Sequence, residues 1–252
     1  MMHLEGRQAV FAALQARQRR FQVILLRAGM KLEPLADLLQ LAEACAVPVR
    51  HADRAELEAV AHGATHGGVI AICGPKPRTT PDALLDTLDR LRTPPLLLLL
   101  EGIDDARNLG FTLRTADALG VHAVLVKKHL WDFDEAEVAR PSSGAYERLP
   151  LVQLDGPDLL HDLRRRGVRL LGCLANARRS LHQADLTTGV TLAVGGEKRG
   201  LSGATRELCD GFLTIPTRGG PSSLALSHAA AIVLAEAARQ RQSRVESRDS
   251  ES

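Results

Sequence analysis

Apolar residues in the first 76 positions recur over short spans that alternate between helical and strand spacing. Such alternation predicts a small α/β domain over residues 1–76. Its predicted elements are, in chain order, a helix over 7–19, a strand over 21–26, a helix over 35–45, a strand over 47–49, a helix over 55–60 and a strand over 69–73.

From residue 96 onward the apolar runs are nearly continuous, and amphipathic segments separate them. Apolar strands that alternate with helices are typical of a parallel sheet covered by helices on both faces. We therefore predict a second α/β domain over 96–242. Its predicted strands cover 96–100, 123–126, 168–174, 191–194 and 212–215, and its predicted helices cover 109–118, 157–166, 203–208 and 222–241.

The stretch between the two domains, residues 77–95, is rich in proline and threonine. This composition predicts a linker, with one helix over 82–91 inside it. The last residues, 243–252, are polar and charged apart from Val245, and they predict a disordered tail.

Composition adds only modest constraints. Aromatic residues make up 3% of the chain, so bound RNA would be held by charge and shape more than by stacked rings. The net charge of +2 does not indicate a polyanionic partner. Arginines do cluster at positions 17, 19 and 20, at 164–166 and at 178–179, and each cluster is by default a solvated surface.

The four cysteines contain no C-x-x-C pair, so they predict buried free thiols with neither a zinc site nor a disulfide framework. The nine histidines show no metal-ligand spacing, and we expect no metal cofactor. The N-terminus has no apolar signal core, and the leucine run over 96–100 is too short to span a bilayer. We therefore expect a cytoplasmic protein without membrane association.

Three polar segments that contain glycine follow predicted strands, at 101–110, 195–200 and 216–223. Ligands of parallel α/β sheets bind beyond the carboxyl ends of the strands, so these segments predict one site. Each feature also has a simpler interpretation. Asn108 or Ser222 could cap a helix, Arg114 could be a surface residue, and Gly195-Gly196 could form a turn with positive φ.

Several common sites are absent from the sequence. It contains no P-loop, no G-x-S-x-G elbow, no G-x-G-x-x-G turn after the first strand of the larger domain, and no H-E-x-x-H helix. Cys173 is a poor candidate nucleophile, because its neighbours suggest a strand end without a base. These absences argue against a nucleotide triphosphatase, a serine hydrolase, a dinucleotide enzyme and a metalloprotease.

The segments match a known family in order and spacing. The stretch 108–120, with N-L-G-x-x-x-R-T-A-x-x-x-G, resembles the first motif of the SpoU/TrmH family of SPOUT methyltransferases. The stretch 195–202 resembles its second motif, and 215–229 resembles its third. Residues 140–145 are similar to the Ser-x-Gly-Ala stretch between motifs one and two.

The front of the chain is similar to the same family. Residues 4–10 and 66–69 resemble the two ends of an N-terminal substrate-binding domain, which itself resembles a ribosomal protein of the large subunit. This resemblance implies RNA as the substrate, ribosomal RNA first and transfer RNA second. For the second domain it implies a deep trefoil knot, a homodimer joined through the apolar C-terminal helix, and S-adenosylmethionine as cofactor. Carried over by position, the residues near the donor are Leu174, Ala175, Gly196, Ile215, Pro216 and Leu224.

The resemblance implies methylation of a ribose 2′-hydroxyl, which needs in-line placement and stabilisation of negative charge on that oxygen. Arg114 would lie at the ribose. Because guanidinium is a poor base, we favour it as phosphate anchor and oxyanion stabiliser, and the general base stays open. Asn108 and Glu197 would orient Arg114 and the ribose, and Ser223 would position the target nucleotide.

The third motif departs from the family pattern, since Ala225 stands where Asn is usual, and His228 replaces a small or aliphatic residue. Three hypotheses follow, namely weaker catalysis, a rearranged site that uses His228, or loss of activity. The alternative function is therefore a catalytically weak or inactive RNA-binding scaffold in ribosome assembly. Methylation of a base atom is a third possibility, because related SPOUT branches perform it.

Overall fold

The computed structural model describes residues 1–61, 66–127, 133–196, 198–218 and 224–249. The strands are β1 Met2–Glu5, β2 Phe21–Arg27, β3 Val49–Ala52, β4 Val69–Cys73, β5 Leu96–Glu101, β6 Ala123–Lys127, β7 Leu151–Leu154, β8 Arg169–Cys173, β9 Val190–Gly195 and β10 Gly211–Leu213. The helices are α1 Arg7–Ala16, α2 Ala36–Ala44, α3 Arg54–Val60, α4 Pro81–Asp89, α5 Ala106–Ala118, α6 Glu135–Ala139, α7 Ala145–Arg148, α8 Asp158–Arg165, α9 Gly203–Leu208 and α10 Leu226–Asp249.

The chain divides into two compact units. Unit 1 comprises Met1–Pro77 together with Leu109–Arg114 and Phe133–Arg148. Unit 2 comprises Arg78–Asn108, Thr115–Asp132 and Leu149–Ser252. Unit 1 therefore contains two segments that lie far along the chain from residues 1–76.

Unit 1 contains a four-stranded sheet in the order β1-β4-β2-β3. Strand β4 is antiparallel to β1 and β2, and β3 is parallel to β2. Helix α1 buries Val10 and Leu14, and it ends at Ala16 because Arg17 adopts a left-handed conformation with φ 52°. This turn ends the helix three residues before the predicted boundary.

Unit 2 contains six parallel strands in the order β10-β8-β9-β5-β6-β7. The five leucines at 96–100 are all buried, as expected for a central strand that is covered on both faces. Helix α4, which the sequence placed in the linker, packs its Leu84, Leu85 and Leu88 into the core of this unit. Its N-cap is Thr80, whose hydroxyl accepts a hydrogen bond from the Ala83 N–H at 3.2 Å.

The secondary structure departs from the sequence predictions at several further places. Strand β3 covers 49–52, because Ala46, with φ 53°, forms a turn where the predicted strand would begin. The short strand β7 was missed. The last helix begins at Leu226 and extends to Asp249, so residues 243–249 are helical where the sequence predicted a disordered tail.

The extension of α10 has a structural cause. Arg241 donates hydrogen bonds to the carbonyls of Leu186, Thr188, Pro94 and Pro95, at 2.5–3.0 Å. Arg244 donates to the Thr187 hydroxyl at 2.7 Å. These long-range bonds hold the end of the helix against other segments of unit 2. Within the described ranges, no helix combines the length and the hydropathy that a membrane span requires.

Candidate active site

The loops that follow β8, β9 and β10 surround a cavity of about 330 Å³ at the carboxyl edge of the parallel sheet. Strand β8 pairs with both β9 and β10, so the ends of all three strands lie side by side. The described residues that line this donor cavity are Cys173, Leu174, Ala175, Asn176, Val194, Gly195, Gly196, Arg199, Gly200, Arg206, Leu213, Ile215, Thr217, Leu224 and Ala229.

Five of the six residues assigned to the donor by resemblance line this one cavity, namely Leu174, Ala175, Gly196, Ile215 and Leu224. Pro216 is exposed and is not one of the described lining residues. Sequence reasoning missed Asn176, Arg199, Arg206 and Thr217, although each lies within two residues of a predicted position or on the adjoining helix α9.

The two glycines at the end of β9 are required by close backbone contacts. A Cβ atom on Gly195 would lie 2.1 Å from the carbonyl carbon of Gly200, and one on Gly196 would lie 2.3 Å from the carbonyl oxygen of Gly102. Neither glycine has a positive φ, so the interpretation as a turn with positive φ is wrong. The Gly200 N–H donates to the Gly196 carbonyl at 2.8 Å and closes the turn.

Helix α5 carries Asn108 and Arg114, and both residues are exposed. Its N-cap is Asp105, whose Oδ1 accepts hydrogen bonds from the N–H groups of Arg107 and Asn108 at 2.7 and 3.0 Å. The capping interpretation of Asn108 is therefore wrong. Six residues apart, Asn108 and Arg114 are separated by about 9 Å along the helix axis and by roughly a third of a turn around it.

Gly110, between these two residues, lies against the segment that resembles Ser-x-Gly-Ala. A Cβ atom there would lie 2.5 Å from the Val138 carbonyl oxygen and 2.5 Å from a Pro141 ring carbon. This contact requires glycine in the middle of a helix, where it otherwise destabilises.

The third-motif region is described only in part. Glu197, Ser222 and Ser223 lie outside the described residues. The Ala225 carbonyl accepts a hydrogen bond from the Ala229 N–H at 2.9 Å, which puts Ala225 at the N-cap position of α10. Alanine is a poor N-cap, whereas asparagine is among the best. His228, one turn into the helix, is exposed.

Hydrogen bonds join the segment after β8 to the segment after β10. The Thr214 N–H donates to the Arg179 carbonyl, and the Leu181 N–H donates to the Thr214 carbonyl, both at 2.9 Å. The Leu174 N–H donates to the Leu213 carbonyl at 2.9 Å. Thr214 bridges to Ser180 in place of continuing β10, so this strand ends two residues before the predicted boundary.

Cys173 lines the cavity, but its thiol is not activated. Burial raises the pKa of the Cys173 thiol to about 12, so it is protonated at neutral pH. A protonated thiol is a weak nucleophile. The chemistry of the site therefore belongs to other groups.

The arginine clusters differ in exposure. Arg164 pairs with Asp210 at 2.8 Å, Arg166 pairs with Asp89 at 2.9 Å, and Arg165 pairs with Asp162, all at the surface. Arg19 has a fully buried side chain, so it cannot contribute to a surface cluster at 17–20. The interpretation as a solvated surface therefore fits the arginines at 164–166. It does not fit the cluster at 17–20 as a whole, because Arg19 is buried.

A larger cavity of about 820 Å³ lies at the ends of β6 and β7. Its lining includes Lys127, Asp155, His161, Thr205 and Glu207. None of the predicted site residues that the structure describes lines it. In the described parts of the chain, no group of three or more His, Cys, Asp or Glu side chains is placed to hold a metal ion.

Comparisons with known proteins agree over most of the chain. A family model described as the SpoU rRNA methylase family matches residues 95–235. A second model, described as RNA 2′-O ribose methyltransferase substrate binding, matches residues 3–79. The chain therefore belongs to the SpoU rRNA methylase family. It is an enzyme that transfers a methyl group from S-adenosylmethionine to a ribose 2′-hydroxyl of RNA.

Individual relatives are similar over nearly their full length. The 23S rRNA (guanosine-2′-O-)-methyltransferase RlmB of Pseudomonas putida is 39% identical over 238 residues, which covers 94% of this chain and 96% of the relative. RlmB of Escherichia coli K12 is 35% identical over 237 residues, covering 94% and 97%.

Solved structures are similar as well. The SpoU methyltransferase AviRb of Streptomyces viridochromogenes, in complex with AdoMet, has a TM-score of 0.78 and is 27% identical, covering 96% of this chain and 90% of that one. An RNA 2′-O ribose methyltransferase has a TM-score of 0.75 at 30% identity, covering 95% and 88%.

Proposed function

We propose that this enzyme methylates the 2′-hydroxyl of a guanosine in 23S ribosomal RNA, with its methyl donor bound in the 330 Å³ cavity. The observation that carries the site is that one cavity gathers five of the six residues that match the donor positions of the family. The substrate is inferred from the relatives named for guanosine 2′-O-methylation of 23S rRNA, which are 35–39% identical over 94% of this chain.

The residues of the cavity fit S-adenosylmethionine in size and chemistry. The side chains of Leu174, Ile215 and Leu224 offer apolar walls to an adenine ring. The glycine backbone at 195, 196 and 200 allows close main-chain contact with the ligand. When bound, the donor supplies a methyl group already activated by its sulfonium.

The remaining residues have roles in the acceptor half of the reaction. Arg114 holds the phosphate next to the target ribose and stabilises negative charge on the 2′-oxygen as its proton leaves. Asn108 and Glu197 orient the ribose, and Ser223 positions the target nucleotide.

A trefoil knot is the finer expectation for the fold of unit 2. The hydrogen bonds from Thr214 and Leu181 support it, because they hold the segment after β10 alongside the loop after β8. We propose residues 1–76 for substrate binding and residues 96–242 for catalysis, with α4 of the intervening stretch packed into the core of unit 2. The two family models, over 3–79 and 95–235, support these limits.

The active form is expected to be a homodimer joined through α10. Ile232 on this helix and Leu224 just before it are 38% and 37% exposed, which leaves apolar surface for a second copy. Light scattering of the purified chain tests this state. Because the named substrate of its relatives is ribosomal RNA, the cytoplasm is the expected compartment.

Methyl transfer to defined RNAs tests the proposal. Incubation with methyl-labelled S-adenosylmethionine and unmodified 23S rRNA should yield 2′-O-methylguanosine after nuclease digestion, and transfer RNA should yield little. Arg114→Ala should lower kcat by about 100-fold or more, the usual effect of removing a charge stabiliser. Arg107→Ala, at an exposed arginine of the same helix, is the matched control and should retain activity.

Label on a base atom would replace the 2′-O assignment with base methylation. Label on transfer RNA alone would replace the RNA assignment. Binding of RNA without any transfer would support the scaffold alternative and make Ala225 the first residue to revert.

A further inference from the structure

Glu101 is a buried carboxylate at the carboxyl end of β5, where it pairs in register with Gly195 of β9. The residue is 8% exposed. A carboxylate that leaves water is destabilising unless it is paired and hydrogen-bonded. The groups that satisfy Glu101 therefore indicate which parts of the chain it holds together.

Four groups surround the Glu101 carboxylate. Its Oε2 accepts a hydrogen bond from the Ser202 backbone N–H at 3.0 Å, and its Oε1 accepts from the hydroxyls of Ser202 and Thr205 at 2.8 and 3.2 Å. The Lys127 Nζ lies 3.0 Å from Oε1. Burial opposes ionisation, but the bonds from Ser202 and the charge of Lys127 outweigh it and lower the pKa of the Glu101 carboxyl.

Ser202 marks the end of the donor loop, defined as Gly196 and residues 198–201. Gly196, Arg199 and Gly200 of this loop line the donor cavity. Ser202 follows as the N-cap of α9, with its hydroxyl accepting from the Thr205 N–H at 3.3 Å. The loop thus starts at β9, which the sheet fixes, and ends at Ser202, which Glu101 fixes.

The start of the donor loop is closely packed against the end of β5. Gly102, directly after Glu101, has a φ of +78° and lies against Gly196 closely enough that a Cβ on either glycine would meet the other backbone at 2.3–3.2 Å. A shift of the end of β5 would therefore reach the donor loop both through Gly102 and through Ser202.

We infer that Glu101 is a positioning residue for the methyl donor, because it clamps the end of the donor loop to the sheet edge and so maintains one wall of the cavity. The inference rests on the proposed donor site. Glu101 acts through Ser202, and its charge matters because all four surrounding groups are donors or cations. Loss of that charge loosens the donor loop and weakens donor binding. The proposed substrate-binding domain, residues 1–76, is unaffected.

Calorimetric titration of the full chain with S-adenosylmethionine tests this role. The Glu101→Gln variant keeps the size of the side chain but turns an amide N–H toward donors, and it should raise the Kd for S-adenosylmethionine at least tenfold. The Kd for a 23S rRNA fragment, measured by filter binding without donor, should stay within twofold. Hydrogen exchange should accelerate at residues 198–202 and stay unchanged in β2 and β4.

Two further variants make the test decisive. Glu207→Gln makes the same change at an exposed carboxylate of α9 and should leave both Kd values unchanged. Ser202→Ala removes the hydroxyl that donates to Glu101 and caps α9, while the Ser202 N–H and Lys127 still pair with Glu101, so it should give a smaller rise in the donor Kd. This variant decides the question if Glu101→Gln does not fold.

The outcomes separate this inference from the proposed function. The inference alone would be overturned if the wild-type chain binds S-adenosylmethionine and both Glu101→Gln and Ser202→Ala bind it with the wild-type Kd. A parallel loss of donor and RNA affinity would also overturn it, since it would indicate general unfolding. A wild-type chain that binds no S-adenosylmethionine would overturn the proposed donor site and this inference together.

Discussion

Unit 1 buries a cation between two carboxylates, whereas unit 2 buries a carboxylate among a cation and three hydrogen-bond donors. In unit 1 the Arg19 guanidinium forms a two-pronged pair with Glu147, with both bonds at 2.8 Å, and a third bond to Glu135 at 3.0 Å. It also donates to the Gly74 carbonyl at 2.9 Å. In unit 2 the Glu101 carboxylate holds Ser202, Thr205 and Lys127.

The two clusters differ in which part of the chain they hold. Arg19 joins three segments of unit 1 that are up to 128 residues apart, and both Arg19 and Glu147 are buried. Its task is to assemble the unit. Glu101 holds a single loop that lines a cavity, and its partners include neutral hydroxyls. A buried charge can thus either define the fold or maintain a binding site, and the partners distinguish the two cases.

Breaking the Arg19 cluster should have the largest effect. Arg19→Met leaves Glu147 buried without its partner, which should lower the free energy of unfolding by about 3–5 kcal/mol. Urea unfolding of the full chain measures this. Arg165→Met, at an exposed arginine that pairs with Asp162, should change it by less than about 0.5 kcal/mol. Equal losses in the two variants would contradict the assembly role of Arg19.

The pH dependence of stability tests the surroundings of Arg19 and Glu147 in unit 1, because the charge of Lys76 interacts with Glu147. Burial lowers the pKa of the Lys76 ammonium to about 8 from 10.5, although Glu147 acts in the opposite direction. Between these pH values the unfolded chain keeps a proton that the folded chain has released. The contribution of Lys76 to the free energy of unfolding should therefore rise with pH, by at most about 1.4 kcal/mol per unit.

Lys76→Met isolates this contribution. The difference in unfolding free energy, wild type minus variant, should be flat below pH 7 and should increase from pH 8 to 10.5. Urea titrations at half-unit pH intervals measure it. A difference that stays constant across this window would show that Lys76 is not buried as the structure describes.

The smallest expected effect on stability is at Ala225, the N-cap of α10 in unit 2. Ala225→Asn and Ala225→Ser both supply a favourable N-cap and should raise the free energy of unfolding by about 0.5–2 kcal/mol. Only the asparagine restores the family carboxamide. If that amide takes part in the reaction, kcat should rise with Ala225→Asn and not with Ala225→Ser. Equal kcat values would show that the amide is dispensable here.

Parts of this fold follow directly from the sequence. Strand β4 and helix α9 have the predicted bounds, because an uninterrupted apolar run defines the first and a serine N-cap defines the start of the second. Strand β7 and the helices α6 and α7 were missed because elements of four or five residues are too short to show a period.

The candidate site, like the fold, could be predicted from the sequence only in part. The donor positions were carried over from the family motifs by position, and glycines after strand ends marked only the segments at 101–110, 195–200 and 216–223. Glu101 was not singled out, since its partner Ser202 is 101 residues away and no local pattern shows the pairing. The grouping of 133–148 with unit 1 was missed for the same reason, because it rests on contacts between residues far apart in the chain, such as Arg19 and Glu147.

The crystal structure of the chain with S-adenosylmethionine bound would test the central claim most directly. We predict the donor in the 330 Å³ cavity, against Leu174, Gly196 and Ile215, with the Glu101–Ser202 hydrogen bonds intact. A donor bound instead in the 820 Å³ cavity beside Lys127 and His161 would contradict the proposed site and the positioning role of Glu101.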